Sequence, residues 1–253
     1  MMSQLPLISI VTIVYNDLSG LKKTVKSVID QDYKNIEYIV IDGGSTDGTV
    51  QAIEENESHI NYWISESDKG IADAFNKGIK KASGKWILFL NAGDSFYKNN
   101  VLKHVVPFLN RFQDSEVVFG KIKLVDQNGK AKGSYGKPFD LNSFRREMTI
   151  PHQAAFHNRN LFEEVGLYDL KYKYCMDYEL LLRINEPDFK FINLFISDML
   201  AGGISQQSPK AVYKEFNEVK RLHLGVSEAK LKLDFFENIL RYRLSKIKQR
   251  LIK

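Results

Sequence analysis

Residues 7–14 read LISIVTIV, an unbroken apolar, β-branched run of strand length. A run without polar alternation predicts a strand buried on both faces. Ser19 follows, ahead of Leu21, Val25, Val28 and Ile29, which share one helical face. That spacing predicts a helix capped by the Ser19 hydroxyl. A second strand is predicted at 36–41, then a polar loop at 42–48 and a short helix ending near Glu55. A third strand is predicted at 60–64. Asp68 introduces a helix with Ile71, Phe75 and Ile79 on one side, and WILFL at 86–90 is the fourth strand. Residues 101–112 read as the next helix. Strands separated by helices predict a doubly wound, mostly parallel sheet, Rossmann-like and flanked by helices. In such sheets ligands bind beyond the carboxyl ends of the strands. Three loops fall there: 15–17, 42–48 and 91–94.

The pattern changes in the middle of the chain. Residues 116–125 look extended, Asp126-Gln127-Asn128-Gly129 is a turn signal, and 130–135 can return as a hairpin strand. Helices are predicted at 159–165 and 177–184, and extended segments at 189–196 and 199–204. From Pro209 the pattern is helical to the end. There Phe236, Leu240, Leu244, Ile247 and Leu251 keep helical spacing, amid Arg241, Arg243, Lys246, Lys248, Arg250 and Lys253.

The 253 residues suit one domain plus an extension, here divided at 1–209 and 210–253. Hydrophobic residues make up 43%, which excludes a disordered chain or a small disulfide scaffold. The lone Cys175 cannot form an internal disulfide, which points to a reducing compartment. No stretch of about 18 apolar residues exists to span a membrane. The first residues lack the basic-then-apolar pattern of a leader. The expected location is the cytoplasm, peripheral to the inner face of the cell membrane. The net charge is +5, and its distribution matters more than its size. The last 44 residues carry +7 and the rest −2. A basic amphipathic tail over 236–253 suits an anionic membrane surface better than nucleic acid. Packing on the catalytic domain, or pairing in a homodimer, are the competing uses of that helix face.

Three carboxylates stand where chemistry is expected. Asp94, after a buried strand and an Ala-Gly pair, can hold a hard divalent cation, or simply cap the next helix. Asp42, at a strand end before three glycines, can accept a hydrogen bond from a base or ribose, or shape a turn. Asp47 reads as the cap of the short helix. Asp177 begins an apolar helix, as a general base or as a charge favoured by the helix dipole. Glu179 and Arg183 have the spacing of an ordinary helical ion pair. No G-x-G-x-x-G, G-x-x-x-x-G-K-[ST], G-x-S-x-G or H-E-x-x-H occurs, which excludes the corresponding dinucleotide, P-loop, hydrolase and zinc-protease sites.

Taken in order, the segments VTIVYND (11–17), SVIDQDY (27–33), IVIDGGSTDGT (39–49), SDKGIADAFNKG (67–78), LNAGD (90–94) and MDYEL (176–180) resemble one family. It is that of the family-2 nucleotide-sugar glycosyltransferases of cell-surface polysaccharide synthesis. The resemblance spans about 6–205 and implies a GT-A fold with a C-terminal helical extension. It implies an inverting transfer from a nucleoside-diphosphate sugar, UDP by family preference, to a saccharide or lipid-linked acceptor. Thr12, Val14, Tyr15 and Asp17 would line the nucleotide pocket, and Asp42 would accept the N–H of the base. Asn91, Ala92, Gly93 and Asp94 occupy the metal-binding D-x-D element, with Mg²⁺ or Mn²⁺ on Asp94. Asp177 matches the catalytic base. Arg145, Arg146 and His152 are candidates for acceptor or phosphate contacts. Two positions depart from the family. Asn91 replaces the first Asp of D-x-D, which weakens the expected metal dependence. Met176 replaces a frequent Glu, which lowers the expected pressure to raise the pKa of Asp177. A nucleotidyltransferase and a non-catalytic sugar-nucleotide binding subunit are the alternative functions.

Overall fold

The structure is a computed structural model describing residues 5–203 and 208–251. Its first half alternates as the hydrophobic pattern predicts: β1 (Ile8–Val14), α1 (Leu18–Ile29), β2 (Ile36–Asp42), α2 (Thr49–Glu54), β3 (Tyr62–Ser65), α3 (Ile71–Lys81) and β4 (Trp86–Phe89). A two-residue β5 (Ser95–Phe96) and α4 (Val101–Arg111) follow. Then come β6 (Val117–Val125), β7 (Ala131–Tyr135), α5 (Leu141–Phe144), β8 (Ala155–Asn158), α6 (Arg159–Glu164), α7 (Met176–Leu182) and β9 (Phe189–Leu200). The chain continues in α8 (Pro209–Leu224) and α9 (Glu228–Leu251).

The nine strands among the described residues form one sheet, ordered β3-β2-β1-β4-β8-β6-β9-β5, with β7 paired to β6. The β3-β2-β1-β4 half is parallel throughout. The antiparallel strand β8 joins it to β6. Beyond it the sheet is mixed, with β9 parallel to β6 and β5 and β7 antiparallel to their neighbours. Side chains alternate across β1, so its apolar residues feed two cores. Ile8, Ile10 and Val14 pack with Leu21 and Val25 of α1 and Leu102 and Val105 of α4. Val11 packs on the other face with Phe75 and Ile79 of α3 and Tyr178 and Leu181 of α7.

Several boundaries differ from the sequence reading. Asp17, not Ser19, caps α1: its Oδ1 accepts the Gly20 N–H at 2.9 Å, and Ser19 lies inside the helix. The third strand is shifted to Tyr62–Ser65, because the turn at Ile60 belongs to the preceding 3₁₀ helix. Gly70, not Asp68, occupies the position before α3, and Asp68 instead pairs with Lys77. Gly48 likewise precedes α2, with the Asp47 carboxylate accepting the Thr49 N–H at 3.1 Å. The two extended segments predicted after 189 merge into β9 as far as Leu200, while 204–207 lie outside the described residues. Strand β8 has only four residues, too few for a periodic signal.

The helix α8 is fused to the domain. Val219 is fully buried in the core that contains α7, with Val212 and Phe216 packed against it. The Phe216 and Tyr178 rings lie 4.9 Å apart. The next helix, α9, returns along α8, burying Leu231, whose carbonyl accepts from Asn217 at 2.8 Å. Side chains beyond Leu240, among them Leu244, Ile247 and Leu251 of the basic amphipathic face, lie outside the described residues. No helix among the described residues is long and apolar enough to cross a membrane.

Candidate active site

A cavity of about 850 Å³ opens at the carboxyl ends of β1, β2 and β4. Val14, Tyr15, Asp17, Gly43, Asn91 and Ala92 line it, as does Asp68. Tyr15 is 67% exposed at its rim. Gly43 is closely covered: a Cβ would stand 3.0 Å from the Asp68 carboxylate and 3.3 Å from the Tyr15 ring, and both would have to give by a few tenths of an ångström. Thr12 does not reach the cavity. It is fully buried, its hydroxyl donating to the Leu90 carbonyl at 2.7 Å, and so it ties β1 to the end of β4.

The two loops on the β1 and β2 side hold each other. Asn16, at φ 48°, accepts the Thr46 N–H at 2.8 Å, and its own N–H reaches the Ser45 hydroxyl at 2.7 Å. The Asp47 carboxylate bonds the Leu18 N–H at 3.1 Å. Asp42 lies fully buried beneath this layer. It accepts from the Gly44 and Ser45 N–H groups at 3.1 and 2.9 Å, and from the hydroxyls of Ser45 and Ser65 at 2.5 and 2.6 Å. Most of its lone pairs are engaged within the protein, so it organises the loop that forms the cavity wall.

Asn91-Ala92-Gly93-Asp94 forms a turn closed by the Asp94 N–H on the Asn91 carbonyl at 3.0 Å. Gly93 is at φ 91°, a conformation glycine adopts without strain. Lys23 and Thr24 of α1 fix this turn, Lys23 Nζ bonding the Gly93 carbonyl at 2.8 Å and Thr24 Oγ1 the Asp94 carbonyl at 2.6 Å. The Asp94 side chain is 5% exposed and receives the Leu200 N–H at 3.1 Å. Burial pushes its carboxyl up to about 7, against the lowering effects of that N–H and of Lys23. Asn91 Oδ1 is buried without a hydrogen-bond partner. The Asn91 amide oxygen, with no partner among the described residues, and the Asp94 carboxylate three residues later are both hard-oxygen donors. That chemistry fits a divalent cation whose remaining ligands are phosphates and water. No cluster of three or more His, Cys, Asp or Glu side chains suited to a metal occurs among the described residues.

Asp177 stands in the first turn of α7, its Oδ1 accepting the Tyr178 N–H at 2.8 Å. Burial pushes its carboxyl up to about 6. No neighbouring charge contributes to this rise, in line with Met176 at the position before it. The buried Met176 supplies no charge, but the surrounding desolvation raises the pKa by itself. Tyr135 is near enough to feel Asp177. Burial and the charges of Glu147 and Asp177 push its phenol up to about 12. Its hydroxyl donates to the Met148 carbonyl at 2.6 Å.

The sequence contains no local signal for what holds α7. Glu215 of α8 accepts the Lys173, Tyr174 and Cys175 N–H groups at 3.1, 2.7 and 3.1 Å. These are the three residues before the helix that carries Asp177. The Glu179–Arg183 ion pair forms as the spacing predicts. It extends to His223 of α8, whose Nε2 is 2.9 Å from Glu179 Oε1, and Arg183 also donates to the Val165 and Leu167 carbonyls.

His152 does not fit a phosphate contact. Its ring stacks on Phe89 at 5.0 Å, and both nitrogens are buried without partners. Burial drives its pKa down to about 3, so it stays neutral. Arg145 and Arg146 are exposed. The Arg145 carbonyl accepts the Tyr178 hydroxyl at 3.0 Å.

The sequence model for glycosyl transferase family 2 matches residues 9–164, which carry both cavity-forming loops and the Asn91–Asp94 turn. The chain belongs to glycosyl transferase family 2. An uncharacterized glycosyltransferase of Mycobacterium tuberculosis (strain H37Rv) is 37% identical over 230 residues, covering 88% of this chain and 86% of that protein. Among solved structures, TarS 1–349 of S. aureus in complex with UDP-GlcNAc superposes with TM-score 0.63. It is 19% identical and covers 92% of this chain and 71% of its own. A mannosyltransferase from Pyrobaculum calidifontis, in complex with GDP-Man and Mn²⁺, gives TM-score 0.63 at 18% identity, covering 89% and 66%. These likenesses establish the GT-A fold. As a family-2 glycosyltransferase the protein is an enzyme, which sets aside the nucleotidyltransferase and non-catalytic readings.

Proposed function

We propose that this family-2 glycosyltransferase transfers a sugar, with inversion, from a UDP-sugar to a hydroxyl of a saccharide or lipid-linked saccharide. The observation that carries this reading is the pairing of two sites. One is the cavity at the ends of β1, β2 and β4, and the other is the half-buried Asp177 on α7. A structural neighbour that holds UDP-GlcNAc supports the donor class. Tyr15 and the Asp42-organised loop would receive the nucleoside, and Asp17 would stand beside it. Asn91 and Asp94 would hold a divalent cation. When bound, such a cation neutralises charge developing on the departing diphosphate.

In the proposed step the acceptor oxygen attacks the anomeric carbon from the face opposite the diphosphate. The carbon–oxygen bond to the phosphate breaks, and the nucleoside diphosphate leaves. Asp177 takes the acceptor's hydroxyl proton. A carboxylate with its pKa raised to about 6 is a stronger base than an ordinary Asp and is still ionised at pH 7. The basic tail over 236–253 is proposed to rest on an anionic membrane, where a lipid-linked acceptor would be presented. Thermal melting with a panel of UDP- and GDP-sugars, with and without Mn²⁺, tests the donor. A UDP-sugar should raise the melting temperature selectively. If no nucleotide sugar shifted melting, the reading would fail.

A further inference from the structure

A second cavity, of about 620 Å³, lies outside the donor pocket and shares no lining residue with it. It is enclosed by the segment leading into and out of α5 and by α8 and α9. Four cations face it: Lys137, Arg146, Lys220 and Lys230. Lys220 is the unusual member. It is 5% exposed, and its ammonium forms no hydrogen bond among the described residues, its nearest carboxylate being Asp234 at 3.9 Å. That carboxylate already pairs with Lys230 at 2.7 Å. Burial lowers the Lys220 pKa, as expected for an ammonium taken from water without full compensation. Neither Lys137 nor Arg146 forms an ion pair among the described residues. Glu147 and Glu237, on the same walls, are acceptors suited to sugar hydroxyls.

The cavity shares neighbours with the helix that carries Asp177. Phe216 lines it, and its ring lies tilted against that of Tyr178, the residue after Asp177. Met148 lines it and accepts the hydroxyl of Tyr135, which feels the Asp177 charge. On α9, Lys230, Asp234 and Glu237 share the face turned to the cavity. Leu233, Phe236 and Leu240 share the next face and are 53%, 69% and 58% exposed. A pocket with four cations and three carboxylates on its walls thus borders an apolar strip on one helix.

We infer that this cavity binds the phosphate or diphosphate of the acceptor, whose sugar hydroxyl then reaches Asp177. The inference rests on the glycosyl-transfer reading and names the acceptor class for it. A buried, under-compensated lysine gains a partner when a phosphate enters, and the flanking cations supply the further charge that a single carboxylate would not need. The volume accommodates a phosphate together with a sugar.

The test uses the full-length protein saturated with UDP, titrated calorimetrically with citronellyl diphosphate, inorganic pyrophosphate and uncharged citronellol. Citronellyl diphosphate should bind, and citronellol should not. Lys220→Met and the exposed-site variant Arg146→Gln should each weaken binding roughly tenfold. If pyrophosphate binds as well as the lipid diphosphate, the site reads a soluble phosphate. Tighter binding of the lipid assigns a lipid head group. Equal affinities of wild type and both variants, with melting temperatures unchanged, would overturn the inference, as would no diphosphate binding while UDP still binds. Should Lys220→Met not fold, Arg146→Gln and Lys137→Gln decide alone, since both residues lie on the surface. UDP is titrated first. Its failure to bind would break the donor reading, whereas variant-sensitive diphosphate binding would still stand.

Discussion

The proposed donor side and the proposed acceptor side of this enzyme are built on different principles. On the donor side, the parallel strands β1, β2 and β4 end in loops that bond directly to one another and to the start of α1. Asp42 holds its own loop, Asp47 and Asn16 tie two neighbouring loops, and Asp17 caps the helix that follows it. On the acceptor side, the helix with Asp177 is short, and its approach is held by Glu215, some forty residues later. The Glu179 network likewise closes through His223. The cavity is therefore held by loops bonded to one another at the ends of the strands, and the helix with Asp177 by packing against the later helix α8. Damage should spread accordingly: donor-side changes should remove nucleotide binding, and acceptor-side changes should remove turnover while binding survives.

The largest separation is expected for Asp177→Asn. General-base assistance is worth roughly 10²–10⁴-fold in rate, so transfer should fall by that order while the melting shift with donor persists. Near-normal transfer by this variant would remove Asp177 from its role. Asp42→Ala should do the reverse. It leaves four donors without their acceptor, three in the β2 loop and the Ser65 hydroxyl of β3, costing about 1–3 kcal/mol per buried group and eliminating donor binding. Retention of donor affinity would show that the loop holds without it.

Glu215→Ala should come next. Three backbone N–H groups lose their acceptor, so kcat should drop roughly tenfold while the KM for donor is unchanged, and Glu215→Gln should recover part of the rate. A change in donor KM alone would place Glu215 on the wrong side of the comparison.

Two pH effects with different midpoints follow from the raised carboxyls. The transfer rate at saturating donor should rise with pH through about 6, as Asp177 loses its proton. Metal-free donor binding should respond near 7, where Asp94 titrates. For stability the sign is opposite. Both groups have folded pKa values above their unfolded ones near 3.8, so the folded state holds more protons between about pH 4 and 7. Their contribution is fully present below pH 4 and is lost as pH rises through 6 to 7. The Asp94→Asn variant should flatten the upper part of that decline in a melting series. The smallest effect on either site is expected from deleting residues 238–253, which should abolish binding to anionic liposomes and leave the donor melting shift intact. Persistent liposome binding would remove the tail from that role.

The difference between the two sides is also a difference in legibility. Residues 7–14, 36–41 and 86–90 show their burial in runs dominated by apolar and β-branched residues, and the loops after them could be placed at once. Strand β8 was invisible because four residues carry no period. The neutrality of His152 was invisible because it depends on Phe75 and Phe89 meeting it from other elements. Asp42 was placed correctly at its strand end, but only the surrounding hydroxyls and N–H groups show that it faces inward.

By itself the sequence determined the alternation of β1 to α4, the parallel half of the sheet and the positions of Asp94 and Asp177, because periodicity and loop chemistry are local quantities. Tertiary structure alone decided the joining strand β8, the pKa of the base, the fusion of α8 to the domain and the cavity around Lys220. Each of those depends on desolvation or on hydrogen bonds between groups far apart in the chain, and neither exists until the chain has closed around them.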